Sequence, residues 1–127
     1  MGDAIEVRAA AAPRHLSSVR AVAADLAMRE DFDLDEVADL RLAVDEACSI
    51  LVQLAVPAST LVCRFTAGSG EVRVQASVTS ADGHAPAPTT FSWRVLDTLA
   101  DSARSEVHPD GASYLVRIEL VKRKSRR

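Results

Sequence analysis

The feature that most constrains the fold is the run DLDEVADLRLAVDEACSILVQLA at 33–55, which contains neither glycine nor proline. Asp33 is placed to accept the free backbone N–H groups of a first helical turn, and Glu36 completes a capping box. The run therefore predicts one long amphipathic helix that ends before Pro57. Its buried face is formed by the apolar residues that recur at helical spacing, which are Val37, Leu40, Val44, Ala47, Leu51 and Leu54.

Length and composition predict one compact domain. The chain has 127 residues, of which 48% are hydrophobic, so it can bury the core of one domain but hardly of two. No window approaches the roughly 20 apolar residues that a membrane-spanning helix needs, and MGDAIEVR lacks the basic and then apolar layout of a signal peptide. We therefore expect a cytoplasmic protein with no membrane partner.

The charge of the chain is unevenly distributed. The segment KRKSRR at 122–127 holds five of the 15 Lys and Arg residues, so residues 1–121 carry 10 positive against 18 negative charges, a net charge of −8. An acidic body lacks the basic surface that binds phosphates, which argues against direct DNA binding and favours a basic protein partner. We expect one domain at 1–121, followed by a basic, disordered tail at 122–127.

The remaining patterns predict two more helices and five strands. Helical spacing occurs at 15–29 and 91–104, with Thr90 or Ser92 as the cap of the second of these helices. A loop rich in proline and small residues fills 80–90. Alternating apolar residues predict strands at 5–9, 61–65, 72–78, 107–108 and 114–120, with turns at 68–70 and 109–111. This order predicts an α+β fold, a two-layer sandwich in which helices cover one face of a mixed, mostly antiparallel sheet.

The two cysteines, Cys48 and Cys63, have neither the spacing of a zinc site nor that of a disulfide framework. We expect both to be buried thiols, one in a helix and one in a strand. The sequence therefore predicts no metal site built from cysteine.

The segment RLAVDEACS at 41–49 resembles the region around the catalytic glutamate in the ATP-binding fold of histidine kinases, gyrase and Hsp90-type ATPases. Within that superfamily, the element order and the Glu-Ala-Cys sequence resemble the anti-sigma factor serine kinases of the RsbW and SpoIIAB type. DLRLAVDEAC, together with FSWRVL and the alternating pattern of the last strand, is closer still to the actinobacterial anti-sigma-F factors of the UsfX type. The resemblance covers residues 4–121 and implies the histidine-kinase-like ATPase fold.

The resemblance implies that Glu46 is the family's general base, here a relic. The family's helix motif is Glu-x-x-x-Asn, in which the asparagine helps to hold Mg²⁺ on the nucleotide. This chain has Ile50 at the asparagine position, and an isoleucine offers no oxygen to a hard cation. Ser49 and Gln53 could substitute only in part. The alternative for Glu46 is a surface or partner-facing carboxylate.

The other nucleotide motifs of the family are also altered. Val78 falls where the family's adenine-reading aspartate is expected, and Asp82–Gly83 further along fits a turn better. The family's glycines at the start of the third helix are replaced by Thr90 and Ser92, whose side chains stand where phosphate would lie. We therefore expect no bound cofactor; ATP with Mg²⁺ would bind only if the degenerate pocket still accepts it.

The resemblance implies an anti-sigma factor that sequesters an alternative sigma factor of the stress or sporulation type from RNA polymerase. STAS-domain anti-anti-sigma proteins would relieve it. The sequence leaves the oligomeric state open between a monomer and the homodimer that family members often form. The family's partner-binding arginine corresponds to Arg20, for which the alternative is a solvated surface arginine. The competing function is an active ATP-dependent serine kinase that phosphorylates the anti-anti-sigma factor. A third candidate function is that of a small sensor domain that binds another ligand in the former nucleotide pocket.

Three further residues have open interpretations. We expect Asp45 to be solvated, and Arg41 could pair with it at the i,i+4 spacing. Trp93 either plugs the former nucleotide pocket or packs in the core. None of the three is evidence of catalysis.

Overall fold

The structure, a computed structural model, describes residues 4–125 of the chain. It contains three α-helices, one short 3-10 helix and five strands within that range. Their bounds are β1 Ala4–Ala10, the 3-10 helix Pro13–His15, α1 Leu16–Arg29, α2 Leu34–Leu54, β2 Thr60–Gly68, β3 Glu71–Ser80, α3 Phe91–Leu99, β4 Ser102–Asp110 and β5 Ser113–Arg123. The strand predicted at 5–9 and the helix predicted at 15–29 are confirmed as β1 and α1.

The five strands form one sheet in the order β1-β2-β3-β5-β4, and every pairing among the described residues is antiparallel. Alternate residues of β2 and β3 are buried, as expected when one face of a sheet packs against a layer of helices, whereas in β5 the residues 118–121 are all buried. The predicted α+β sandwich is therefore confirmed. The core includes Phe65 and Ile118 from the sheet and Leu40 and Leu51 from α2.

The long helix α2 begins and ends where its sequence predicts. The Asp33 carboxylate accepts from the backbone N–H of Glu36 at 2.8 Å, and the Glu36 carboxylate accepts from the N–H of Asp33 at 2.8 Å, which is the predicted capping box. The backbone becomes extended at Ala55. No helix within 4–125 combines the length and the apolar character needed to cross a membrane.

The predicted hairpin at 61–78 is confirmed and has a two-residue loop. Gly68 pairs with Glu71, and the two loop residues, Ser69 and Gly70, have φ angles of 56° and 75°. Positive φ at both positions is the type I′ turn, whose twist matches that of the flanking strands. A side chain is strained at this φ, so glycine suits position 70.

The helix predicted at 91–104 ends at Leu99, five residues early. Its helical spacing continues to Ala103, but Ala103 lies in β4 and pairs with Leu120 of β5. The chain turns at Ala100, and the N–H of Asp101 donates to the carbonyl of Val121 at 2.9 Å. Pairing with β5 satisfies the backbone groups of this segment in place of a further helical turn, so tertiary structure overrides the local pattern.

The predicted boundary at 121 is also wrong. Lys122 and Arg123 lie in β5, where they pair with Val72 and Glu71, so they are not part of a disordered tail. The N–H of Ser125 then donates to the carboxylate of Glu36 at the start of α2. Residues 126 and 127 of the predicted tail lie outside the described residues.

Both cysteines are buried, as predicted, Cys48 in α2 and Cys63 in β2. Their Sγ atoms are 3.8 Å apart. The contact with Cys63 and burial in the core both raise the pKa of the Cys48 thiol. The Cys48 thiol is therefore protonated at neutral pH, and burial shields both thiols from reagents while the core is closed.

The outer face of the sheet carries a charged network around Glu119, whose side chain is only 7% exposed. Its carboxylate accepts from Gln75 at 2.7 Å, Arg104 at 3.0 Å and Arg73 at 3.2 Å. Burial by itself raises the pKa of Glu119, but these hydrogen bonds and nearby positive charges outweigh it, so the pKa is lowered.

Candidate functional site

Helices α1 and α2 pack together and bring Arg20 against Asp45. The Nη1 group of Arg20 donates a hydrogen bond to Oδ1 of Asp45, and each side chain is 33% exposed. Asp45 is therefore paired rather than solvated, which corrects the expectation from sequence. Arg41 does not form the i,i+4 pair with it, because helix packing places Arg20 on that carboxylate instead.

The same region of α1 and α2 contains a surface cavity of about 350 Å³. Its lining consists of Arg20, Ala38, Arg41, Leu42 and Asp45. Arg41 is exposed and has no ion pair or side-chain hydrogen bond to any residue in 4–125, and Leu42 is 55% exposed. The cavity therefore combines two guanidinium groups, one carboxylate and an exposed apolar side chain.

Glu46 and Ile50 lie one turn apart on α2, as the spacing predicts. Glu46 is half-buried, and its carboxylate has no hydrogen bond or ion pair with the described residues. Ile50 is partly buried and packs against the core. The side chain one turn after the glutamate thus contributes apolar contact and no oxygen.

Val78 lies on the inner face of β3 and is 1% exposed, so it belongs to the core. Asp82 accepts from the N–H of His84 at 3.3 Å, the contact of an Asx-type turn. A side chain at Gly83 would lie 3.0 Å from the ring of Tyr114, so the backbone passes close to that ring. Both contacts are those of a turn packed on the sheet.

Thr90 is the cap of α3, one of the two predicted candidates. Its hydroxyl accepts from the N–H of Trp93 at 3.3 Å and donates to the carbonyl of Ala87 at 2.9 Å. Ser92 is half-buried, and Trp93 is 9% exposed within the core cluster. Of the two interpretations of Trp93, packing in the core is therefore the one that agrees with its position.

The candidate nucleotide residues form no mutual hydrogen bond. Ile50 and Val78 are apolar, the Thr90 hydroxyl is engaged in capping α3, and the Glu46 carboxylate has no partner within 4–125. By contrast, the Nη1 group of Arg20 donates to the carboxylate of Asp45. Among the predicted site residues, Arg20 is therefore the one with an ion pair in 4–125, and this pair joins α1 to α2.

Sequence reasoning missed two features of this surface. The pair between Arg20 and Asp45 joins residues 25 apart on different helices, so no local spacing predicts it. The exposure of Leu42 could have been found, because Leu42 does not belong to the apolar stripe of α2. An apolar residue on the polar side of an amphipathic helix is a signal for a contact surface.

Comparison with known proteins shows the family to which this chain belongs. The model of the histidine kinase-like ATPase domain family matches residues 9–111 of this chain, so the chain belongs to that family. Within the family, it is similar to the anti-sigma-F factor RsbW of Mycobacterium tuberculosis. In each of two strains, CDC 1551 / Oshkosh and ATCC 25618 / H37Rv, the identity is 38% over 125 residues, covering 96% of this chain and 74% of the relative. The resemblance to RsbW seen in the sequence is therefore confirmed.

A solved structure shows the same fold. The crystal structure of the RsbU and RsbW domains of Rv1364c from Mycobacterium tuberculosis matches with a TM-score of 0.71 at 19% identity. The match covers 98% of this chain and 33% of the longer chain in that crystal structure, so this chain spans about a third of the crystallised chain. At this identity the likeness extends to the fold alone.

Proposed function

We propose that this protein is an anti-sigma factor that binds an alternative sigma factor and keeps it from core RNA polymerase. The observation that carries the proposal is the 38% identity over 125 residues to proteins named anti-sigma-F factor. The sigma factor is proposed to be of the stress or sporulation type. The acidic balance of residues 4–125, with 17 Asp and Glu against 13 Lys and Arg, supports a protein partner over nucleic acid.

Arg20 is proposed as the centre of the partner surface. Its guanidinium lies at the edge of the cavity between α1 and α2 and is one-third exposed, so a partner can reach it. A planar guanidinium suits a carboxylate through two parallel hydrogen bonds. A STAS-domain anti-anti-sigma protein is proposed to compete for an overlapping surface and thereby release the sigma factor.

ATP with Mg²⁺ is proposed to have no functional site in this chain. A magnesium site needs oxygen ligands in near-octahedral geometry, and Ile50 supplies none. The buried Val78 has no carboxylate for the adenine amino group, and the Thr90 hydroxyl is engaged as a helix cap. These residues do not fit the nucleotide, so release of the sigma factor is proposed to proceed by exchange of partners.

An active serine kinase is the second candidate. It is favoured by Glu46, whose half-buried carboxylate lies on α2 without a partner among the described residues. Such a kinase would transfer phosphate to a serine of the STAS protein, and Glu46→Ala would abolish the transfer while sigma binding remained. Absence of transfer by the wild-type chain would exclude this candidate.

Transcription by purified core polymerase tests the main proposal. The alternative sigma factors of the source organism are added one at a time, with and without an equimolar amount of this protein. Transcription directed by one of them should fall, while transcription directed by the housekeeping sigma factor should not change. If no sigma-directed transcript responds, the proposal is wrong.

A matched pair of variants tests the surface. Arg20→Glu should weaken binding of the responding sigma factor by more than about tenfold, because it reverses the charge at the contact. Arg94→Glu makes the same charge change at an exposed arginine of α3 that has no ion pair within 4–125, and it should leave affinity nearly unchanged. Equal effects of the two variants would remove Arg20 from the interface.

A further inference from the structure

The pair between Arg20 and Asp45 means that the proposed contact residue already has a carboxylate partner in the free protein. Both side chains are partly withdrawn from solvent, each at 33% exposure. A partner's carboxylate that approaches Arg20 therefore meets the negative charge of Asp45 as well. Two carboxylates close to one guanidinium repel each other, and this repulsion opposes binding.

The guanidinium of Arg20 nevertheless keeps donors for a second acceptor. Only Nη1 is engaged with Asp45, and the side chain makes no other hydrogen bond to residues 4–125. A guanidinium carries five N–H donors in a planar fork. Since Asp45 is one-third exposed, its carboxylate can turn to water when another acid takes its place.

Arg41 supplies a second positive charge in the same cavity. The two guanidinium groups and the carboxylate of Asp45 sum to a charge of +1, whereas residues 4–125, with 13 Lys and Arg against 17 Asp and Glu, sum to −4. The cavity is thus a local positive site on an acidic surface, which favours an incoming carboxylate. The exposed Leu42 adds an apolar contact beside it. These features fit a segment that carries an acidic residue next to an apolar one.

We infer that Asp45 is a built-in competitor for the partner's carboxylate at Arg20, and that Arg41 is the second cation that this carboxylate meets. The inference rests on the proposed function. The segment that would occupy the cavity is a segment of the sigma factor with an acidic residue next to an apolar one. Asp45 holds Arg20 in place in the free protein and lowers the affinity of the complex. This competition keeps the complex weak enough for an antagonist to exchange the sigma factor.

Asp45→Asn tests the competitor directly, because it removes the charge and keeps the shape. Calorimetric titration with the responding sigma factor should show binding about fivefold tighter than that of the wild type. Asp25→Asn is the matched control, since Asp25 is also a paired acid but lies outside the cavity lining. It should change affinity by less than about twofold, because exposed charges outside the contact are screened by salt.

The tighter binding expected for Asp45→Asn must also depend on Arg20. In an Arg20→Ala background, Asp45→Asn should no longer tighten binding, because the competition has lost its target. Arg41→Ala should weaken binding about fivefold at low salt and less at high salt, and thermal unfolding would show that each variant is folded.

Three results would overturn the inference. If the wild-type chain binds the sigma factor but Asp45→Asn binds it equally or less tightly, Asp45 does not compete for Arg20, and the proposed function stands. If Asp45→Asn still tightens binding in the Arg20→Ala background, Asp45 acts only by its contribution to the net charge of the surface, and the inference fails. If the wild type and all variants bind no sigma factor, both the inference and the proposed function fail.

Discussion

Replacing Glu36 with alanine removes one carboxylate that joins two separate parts of the chain. Its two oxygens accept from the N–H of Asp33, which closes the capping box of α2, and from the N–H of Ser125, which follows β5. Glu36 itself is only 9% exposed. The substitution therefore leaves two backbone donors without their acceptor.

The loss can be estimated for each contact. Loss of a capping interaction costs about 1 kcal/mol. The N–H of Ser125 is in an exposed residue, so water can replace the carboxylate and the cost is about 0.5–1.5 kcal/mol. Together they predict that the free energy of unfolding falls by about 2 kcal/mol, which lowers Tm by about 8 °C for a domain of this size.

Urea unfolding followed by circular dichroism measures this change, and its pH dependence gives a second test. Hydrogen bonds from the backbone of Asp33 and then of Ser125 lower the pKa of Glu36 from its ordinary value of 4.5. The stabilisation is therefore present above about pH 4.5 and is lost as the pH falls through the lower pKa of the folded state. The variant should lose less stability than the wild type in this acid range.

Asp35→Ala is the matched control for this prediction. Asp35 lies in the same first turn of α2 and is exposed, and its side chain makes no hydrogen bond to residues 4–125. Its removal costs only the interaction with the helix dipole, about 0.3–1 kcal/mol. If Glu36→Ala destabilises no more than Asp35→Ala, the two hydrogen bonds contribute nothing and the reasoning is refuted.

Three other predictions concern the core, the outer face of the sheet and a turn. Glu119→Gln should lower the free energy of unfolding at pH 7 by about 1–2 kcal/mol, whereas the same change at the exposed Glu6 should have almost no effect in urea unfolding. Cys48 and Cys63 should react with Ellman's reagent only after denaturant is added, and rapid labelling of the native protein would contradict their burial. Ala58 has a φ of 64° in a turn where glycine is favoured, so Ala58→Gly should raise stability by about 0.5–1 kcal/mol, and a lower urea midpoint would contradict it.

The elements that sequence predicted well are those specified by neighbouring residues. The capping box of Asp33 and Glu36 and the unbroken stripe of apolar residues define α2 locally. The turn at Ser69 and Gly70 defines the hairpin in the same way. The short segment around Glu46 was sufficient to indicate the family, because its motif lies on one stretch of that helix.

The features that sequence could not predict depend on residues far apart in the chain. Ala103 continues a helical spacing but is held in β4 by Leu120. Arg123 looks like part of a basic tail by composition, yet it pairs with Glu71 in the sheet, and its Nε lies 3.2 Å from that carboxylate. In each case a partner from another strand decides the conformation.

In the candidate site too, some positions follow from local spacing and others depend on residues far apart in the chain. The positions of Glu46 and Ile50 on one helix follow from their spacing. The pair between Arg20 and Asp45 depends on how α1 packs against α2, and it is absent from every local pattern. The partner surface therefore required the fold before its charges could be interpreted.

Calorimetric titration of the purified protein, first with its sigma factor and then with ATP and Mg²⁺, tests the central proposal most directly. We predict saturable binding of the sigma factor and no saturable heat from the nucleotide. Tight binding of ATP with Mg²⁺, accompanied by phosphate transfer to a STAS-domain protein, would contradict the proposal and identify an active kinase.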